Sequence, residues 1–363
     1  MANILDRFSS HKNSLRAILP SGMALGHRGN PAASLHLERI YATPVLLSGL
    51  SDLVLSGVEM AAIHHYHKVH LQRLQRLHQA TPECVVMFLA GSLPSSGILH
   101  LRILGHLGMI ARLGPSNILH QHGRHTLLAD NGKKTNKSWF VSTRSLCKQY
   151  DLPDPLLVLQ SPPIHTYWKR VTKLKVLDWW QQKYRGNALL LSSLQFFKPD
   201  FMSLSTPHPI WSSANSPFEV CKAVISARML SGRYRTDKLM SKWSTNNPSG
   251  LCRLPGCEGE VGDLQHILLE CSALSEARAK AINHWSAFLV PRPWLLPVVA
   301  HHTLGAPNEH LQFLLDSSVL PFVIESNKLN SDIVPSCFYL ARTWNFGIHL
   351  ARDRIRNLWN LSN

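Results

Sequence analysis

Four residues, Cys252, Cys257, His266 and Cys271, restrict what this chain can fold into more than any other feature. They read C-x4-C-x8-H-x4-C within GLCRLPGCEGEVGDLQHILLEC. Three thiols and one imidazole this close in sequence can fill the corners of a zinc tetrahedron, leaving no corner for water. A closed site of that kind holds structure and does not catalyse. The turn at Pro255 and Gly256 lets the first two sulfurs converge, and Asp263 is placed to cap a short helix carrying His266. On an ideal helix Cys271, five residues further on, lies about 140° round from His266. The helix therefore has to end or distort before Cys271. The competing reading is buried free thiols beside an unrelated histidine. A redox role is disfavoured because no C-x-x-C occurs.

The remaining composition bounds the partner. The chain has 363 residues, 45% of them hydrophobic, enough for two or three domains with real cores. Lys and Arg number 38 against 22 Asp and Glu, a formal charge of +16. Such an imbalance favours a polyanion, most commonly nucleic acid. A membrane-surface protein would need a concentrated amphipathic stretch or a lipidation signal, and neither is evident. No run of eighteen apolar residues predicts a membrane span. The 21 histidines are scattered; they are expected at surfaces or half-buried, gaining charge near pH 6 and strengthening anion binding there. His64, His65 and His67 read as a surface cluster, since these helical positions do not all converge on a metal. Cys84, Cys147, Cys221 and Cys337 lie far apart. With no secretory signal they read as reduced buried thiols of an intracellular protein, nuclear or cytoplasmic and not secreted. The opening MANILDRFSSHKNSLRAIL has some transit-peptide character, against which Asp6 and the direct run into helical sequence argue.

The periodicity predicts a mainly α fold. Asn30 and Pro31 suit the start of a helix that Pro44 kinks. A second helix from about Val58 carries Ile63, His67, His70, Leu71, Leu74 and Leu77 on one stripe, leaving Lys68, Arg73 and Arg76 on a basic outer face. Ser95 or Ser96 is placed to cap a third, with Leu99, Ile103, Leu107 and Ile110 inward. From Gly114 to about Pro163 the period fades, predicting a connector. Helix resumes at IHTYWKRVTKLKVLDWWQQKYRG, where Lys169, Arg170, Lys173 and Lys175 alternate with Trp168, Trp179, Trp180 and Tyr184. Cations that neutralise phosphates beside rings that stack on bases suit a nucleic acid. A core-facing tryptophan row with solvated lysines is the equal alternative. A basic helix with Arg228, Arg233, Arg235, Lys238 and Lys242, opposed only by Glu219 and Asp237, leads into the cysteine cluster. The tail SCFYLARTWNFGIHLARDRIRNLWNL is another arginine-rich helix.

Three stretches resemble the C-terminal part of a reverse transcriptase from a non-LTR (LINE-type) retrotransposon. They are SLHLERIYATPVLLSGLSDLVLS with the following KVHLQRLQRLHQATPE and FLAGSLPSSGILHLRILGHLGMIARL; ARMLSGRYRTDKLMSKW running into the Cys/His cluster; and the closing FYLARTWNFGIHLARDRIR. The resemblance covers nearly the whole chain. It implies a helical thumb-like domain over 1–113, a basic connector with a Trp-rich helix over 114–217, a basic helix plus zinc knuckle over 218–290, and a helical tail over 291–363. It also implies template or primer binding, to RNA or single-stranded DNA, beside a polymerase palm upstream of Met1. No adjacent aspartates on an apolar hairpin, no G-x-x-x-x-G-K-[ST] and no G-x-S-x-G occur, so catalysis by this chain is not expected. Thumb-like helices normally pack on a palm, which predicts exposed apolar surface near residues 34–56. The alternative is a zinc-folded structural or protein-interaction module whose positive charge is incidental.

Overall fold

In the computed structural model of the chain, residues 2–18, 30–130, 138–242, 249–257 and 259–362 are described. Helix α1 (Ala2–Ile18) precedes α2 (Pro31–Leu37), whose start is the expected one: the Asn30 side chain accepts the Ala32 N–H at 2.8 Å and Pro31 occupies the first turn. Pro44 has no N–H to give Ile40, and the chain ahead of it widens into a π turn over Glu38–Ala42, where Thr43 N–H reaches Glu38 O. α3 (Thr43–Leu46) follows. α4 (Gly57–Leu74) opens with a reciprocal capping box between Ser56 and Glu59 and buries Ile63, His67, Leu71 and Leu74. α5 (Glu83–Ala90) is buried from Cys84 to Ala90. In α6 (Ser95–Arg112) the N-cap is Pro94, not a serine. Ser95 and Ser96 are instead buried in the first turn, with Ser96 Oγ 3.0 Å from His64 Nδ1. Leu99, Ile103, Leu107 and Ile110 point inward as expected.

The stretch after Gly114, expected to be an irregular connector, is largely helical. It contains α7 (Ile118–Leu128), α8 (Trp139–Gln149) and α9 (Pro155–Gln160) before α10 (His165–Leu189). The polar punctuation starts short helices here: Asn117 and Asp154 accept from the first-turn amides, and Pro155 sits at a helix start. α10 lies against α6. Its Trp168 and Trp180 are core residues, 3% and 5% exposed, and Trp168 donates from Nε1 to Leu104 O at 2.8 Å. Two glycines of α6 admit these rings. A Cβ on Gly108 would stand 2.3 Å from Trp168, and one on Gly97 would stand 2.8 Å from Trp180.

Shorter helices complete the molecule: α11 (Pro209–Ser212), α12 (Pro217–Leu230), α13 (Asp237–Met240), α14 (Ser275–Leu289), α15 (Leu296–Thr303), α16 (Pro307–Asp316) and α17 (Pro321–Leu329). The long α18 (Ile333–Ser362) packs on α12, α14, α16 and α17. Arg342, 1% exposed, anchors it by donating to Ser213 Oγ at 2.6 Å and pairing with Glu219 at 3.2 Å. Among the described residues no strand occurs, only an isolated antiparallel bridge between Leu251 and Val261. The fold is therefore mainly α.

One hydrophobic cluster runs from Leu35 to Ile348, drawing side chains from 1–113, 114–217, 218–290 and 291–363 alike. A smaller one gathers Leu46, Leu47, Leu50, Ile63, Leu99 and Ile103. Within 34–56, Leu46, Leu47 and Leu50 are thus covered, while Ile40, Tyr41, Leu53 and Val54 are exposed. No single described helix is long and apolar enough to cross a membrane.

Candidate metal centre

The cluster stands on a small hairpin followed by a distorted helix. Cys252 N–H donates to Glu260 O at 2.8 Å and Gly262 N–H to Gly250 O at 3.0 Å, which holds 250–262 as two facing arms. At its tip Gly256 adopts φ 76°, the left-handed region that glycine tolerates, and turns Cys257 back toward Cys252. Asp263 accepts the His266 N–H at 3.1 Å, capping the helix as the sequence predicts. That helix widens into a π turn over His266–Glu270, and Cys271 N–H bonds His266 O at 2.6 Å. The wider turn absorbs the extra residue and returns Cys271 to the side of His266. The distortion required by the spacing is thus present, and it has this specific form.

The four ligand atoms lie within 4.8 Å of one another, and all four residues are buried. Cys257 and Cys271 have sulfurs 3.2 Å apart. That is wider than a disulfide at about 2.05 Å. It lies somewhat inside the edge of a tetrahedron with metal–sulfur bonds of about 2.3 Å, which is about 3.8 Å. Both His266 ring nitrogens are buried without a hydrogen-bond partner. An orphaned imidazole beside three thiols is costly unless something binds it, and a soft or borderline cation fits this donor set. The proton distribution agrees. A hydrogen bond from Cys271 lowers the Cys252 thiol well below its ordinary value and raises Cys271 in turn. Burial raises Cys257, but hydrogen bonds from Ser272, the Ala273 amide and Cys271 outweigh it and bring it down. Burial also disfavours charge on His266, but the proximity of the Cys252 and Cys257 sulfurs, close enough to attract its ring proton though not in good hydrogen-bond geometry, raises it. A cation would displace the remaining protons.

Surrounding groups hold the ligands. Ser272 Oγ donates to Gly256 O at 2.8 Å and lies 3.1 Å from the Cys257 sulfur, and Arg278 donates to Cys271 O at 2.6 Å. Trp344 of α18 donates to Leu268 O at 3.2 Å. The other cysteines are free thiols: Cys84, Cys147 and Cys337 are buried, raised by burial to about 11, 12 and 12, whereas Cys221, on α12, is only half-buried. Among His64, His65 and His67, only His67 is buried. The structure instead gathers His11, Glu38 and His70, which share no sequence spacing, with Glu38 3.1 Å from each histidine.

The basic candidates fall into three groups. Lys169, Arg170, Lys173 and Lys175 are all exposed on α10; Lys175 pairs with Asp151 at 2.6 Å, and the other three have no acidic partner among the described residues. Trp168, Trp180 and Tyr184 of the same helix are buried, so their rings are not available for stacking; Trp179 is only half-buried, with Lys183 Nζ 5.0 Å from its ring centroid. On α4 and just past its end, Arg73 is exposed while Lys68 and Arg76 are half-buried. Arg76 has φ 53°, and its carbonyl accepts both Nε and Nη2 of Arg228. Ahead of the hairpin, Arg235 and Lys238 are exposed and Arg233 half-buried, with Lys238 3.3 Å from Asp263. The sequence did not connect this run with α18. The structure does: buried Asp237 pairs with Arg352 at 3.3 Å and with Arg356 at 2.6 Å. Set against known proteins, the chain matches no family model, no curated protein and no solved structure.

Proposed function

We propose that this protein is the C-terminal, non-catalytic portion of a retrotransposon reverse transcriptase, binding RNA or single-stranded DNA through basic helices beside a structural zinc knuckle. The observation that supports it most is the uncompensated row Lys169, Arg170 and Lys173 on the solvent face of α10. Cations fixed on a rigid helix and lacking internal partners are free to displace counterions from a phosphate backbone. Zn²⁺ is the metal that a closed Cys3His set suits best, and there it supplies folding free energy, not reactivity. Binding should be tolerant of sequence and carried mainly by phosphates, because Trp168 and Trp180 lie in the core and Trp179 is half-buried against it.

The test is anisotropy of a labelled single-stranded RNA titrated with zinc-loaded protein. Affinity should fall at least tenfold between about 50 and 200 mM salt. A combined change of Lys169, Arg170 and Lys173 to Gln should weaken binding and flatten the salt dependence. An affinity indifferent to salt sinks the reading. The burial of Trp168, Trp180 and Tyr184 favours a second one, a zinc-folded protein-interaction module. Zinc-free Cys252→Ser protein that loses local folding yet binds RNA as before would support it.

A further inference from the structure

Arginines from three separate parts of the chain converge on one cavity of about 590 Å³. Arg228 comes from α12, Arg233 and Arg235 from the segment before α13, and Arg352 and Arg356 from α18; His78, Ile225, Tyr234, His349 and Asp353 make up the rest of the wall. Two carboxylates oppose the five guanidinium groups. Asp353 lies 3.5 Å from His349, and Asp237, behind the wall, is taken up by Arg352 and Arg356. Arg228 spends its donors on Arg76 O, and Arg352 also donates to Arg235 O at 2.6 Å. Arg233 and Arg235 have no acidic partner among the described residues, and Arg233 Nε is buried with no hydrogen-bond partner at all.

We infer that this cavity is a phosphate-binding site, and that the group it takes is a phosphate of a nucleic-acid strand. Guanidinium forks match phosphate oxygens two at a time, and several converging on one hollow make a receptor for an oxyanion. The hollow carries unbalanced positive potential: burial lowers the pKa of His78, and Arg235, Arg233 and Arg228 lower it further. The rings of the wall are largely engaged within the protein: Tyr234 is buried with its hydroxyl 3.1 Å from His349 Nδ1 and a guanidinium 5.5 Å from its centroid, and His349 lies 3.5 Å from Asp353. The assignment of the phosphate to a strand rests on the nucleic-acid reading above; that of the cavity to phosphate does not.

Inorganic phosphate and a labelled single-stranded RNA are the two probes, applied to the full zinc-loaded chain. The test protein carries Arg233→Gln with Arg235→Gln, positions that anchor no other element through their side chains. The comparison protein carries Lys280→Gln with Lys328→Gln, which removes the same charge elsewhere. Phosphate should raise the melting temperature of wild type and the comparison protein at matched ionic strength, and should not raise that of the test protein. RNA affinity should drop about tenfold in the test protein alone, with a salt slope smaller by about two. Phosphate stabilisation that survives in the test protein overturns the site. If phosphate binds as expected and RNA binds to none of the proteins, the cavity keeps its ligand chemistry, a free phosphate is its source, and the nucleic-acid reading falls. RNA that binds all three proteins equally overturns the assignment to a strand and leaves that reading to the α10 row.

Discussion

Glu219 and Asp237 are the only acids in a basic stretch, and each is an anchor for an arginine of α18. Their scarcity was visible in the sequence; which cations they would select was not, because Arg342, Arg352 and Arg356 lie more than a hundred residues away. Asp237 is 4% exposed and Arg352 1%. Removing one side of a buried pair leaves the other charge without compensation, at a cost of about 3–5 kcal/mol. Asp237→Asn should therefore lower the urea midpoint sharply, whereas neutralising exposed Lys280, paired with Glu276 at 2.6 Å, should barely move it. Equal midpoints for the two variants would show that Asp237 is not such an anchor. The four candidate metal ligands were legible for the opposite reason: all fall within one short segment, so spacing alone constrains them.

Among the elements, the two π turns differ in how much of them could be anticipated. The one at His266–Glu270 follows from the ligand spacing, which an α-helix cannot satisfy. The one at Glu38–Ala42 follows from Pro44, whose kink is readable but whose form is not. A π turn is an α turn with one residue too many. Deleting exposed Glu270 should relax this one to an α turn that still presents Cys271 beside His266, and bound zinc measured by elemental analysis should stay near one per chain. Inserting an alanine after Glu270 should abolish it. Loss of zinc in both variants would contradict this account of the turn. The α6–α10 contact is less forgiving. Alanine is the better helix former, yet Gly108→Ala should destabilise by about 1–3 kcal/mol through overpacking against Trp168. A higher melting temperature in that variant would contradict the packing. The glycines looked unremarkable in sequence because their role depends on a helix that follows far along the chain.

For the molecule as a whole, the sequence conveyed helical character and the clustering of the four candidate metal ligands but not the sharing of one core by all four expected segments. Each helix buries its stripe against partners remote in sequence, and local periodicity carries no information about which. The histidines show the same limit. Burial lowers His67, His100 and His310 from 6.5 to about 4, with Lys183 adding to the effect at His100. Between those values the unfolded chain takes up protons that the fold refuses. Stability should accordingly be full above about pH 6.5 and decline as pH falls toward 4, seen as falling melting temperatures across that window. Flat melting temperatures would show that these rings can protonate in place. The expected gain of histidine charge near pH 6 does not apply to these three.

The position of α18 also fixes an order of events on the ribosome. The hairpin, the π turn and all four metal ligands emerge before α18 is made, whereas the arginine-lined cavity lacks two of its five guanidinium groups until α18 arrives and Asp237 captures it. A nascent chain can thus bring the four candidate metal ligands together while the arginine-lined cavity is still incomplete. Until α18 has been made, the converging arginines of this hollow cannot close around an anion.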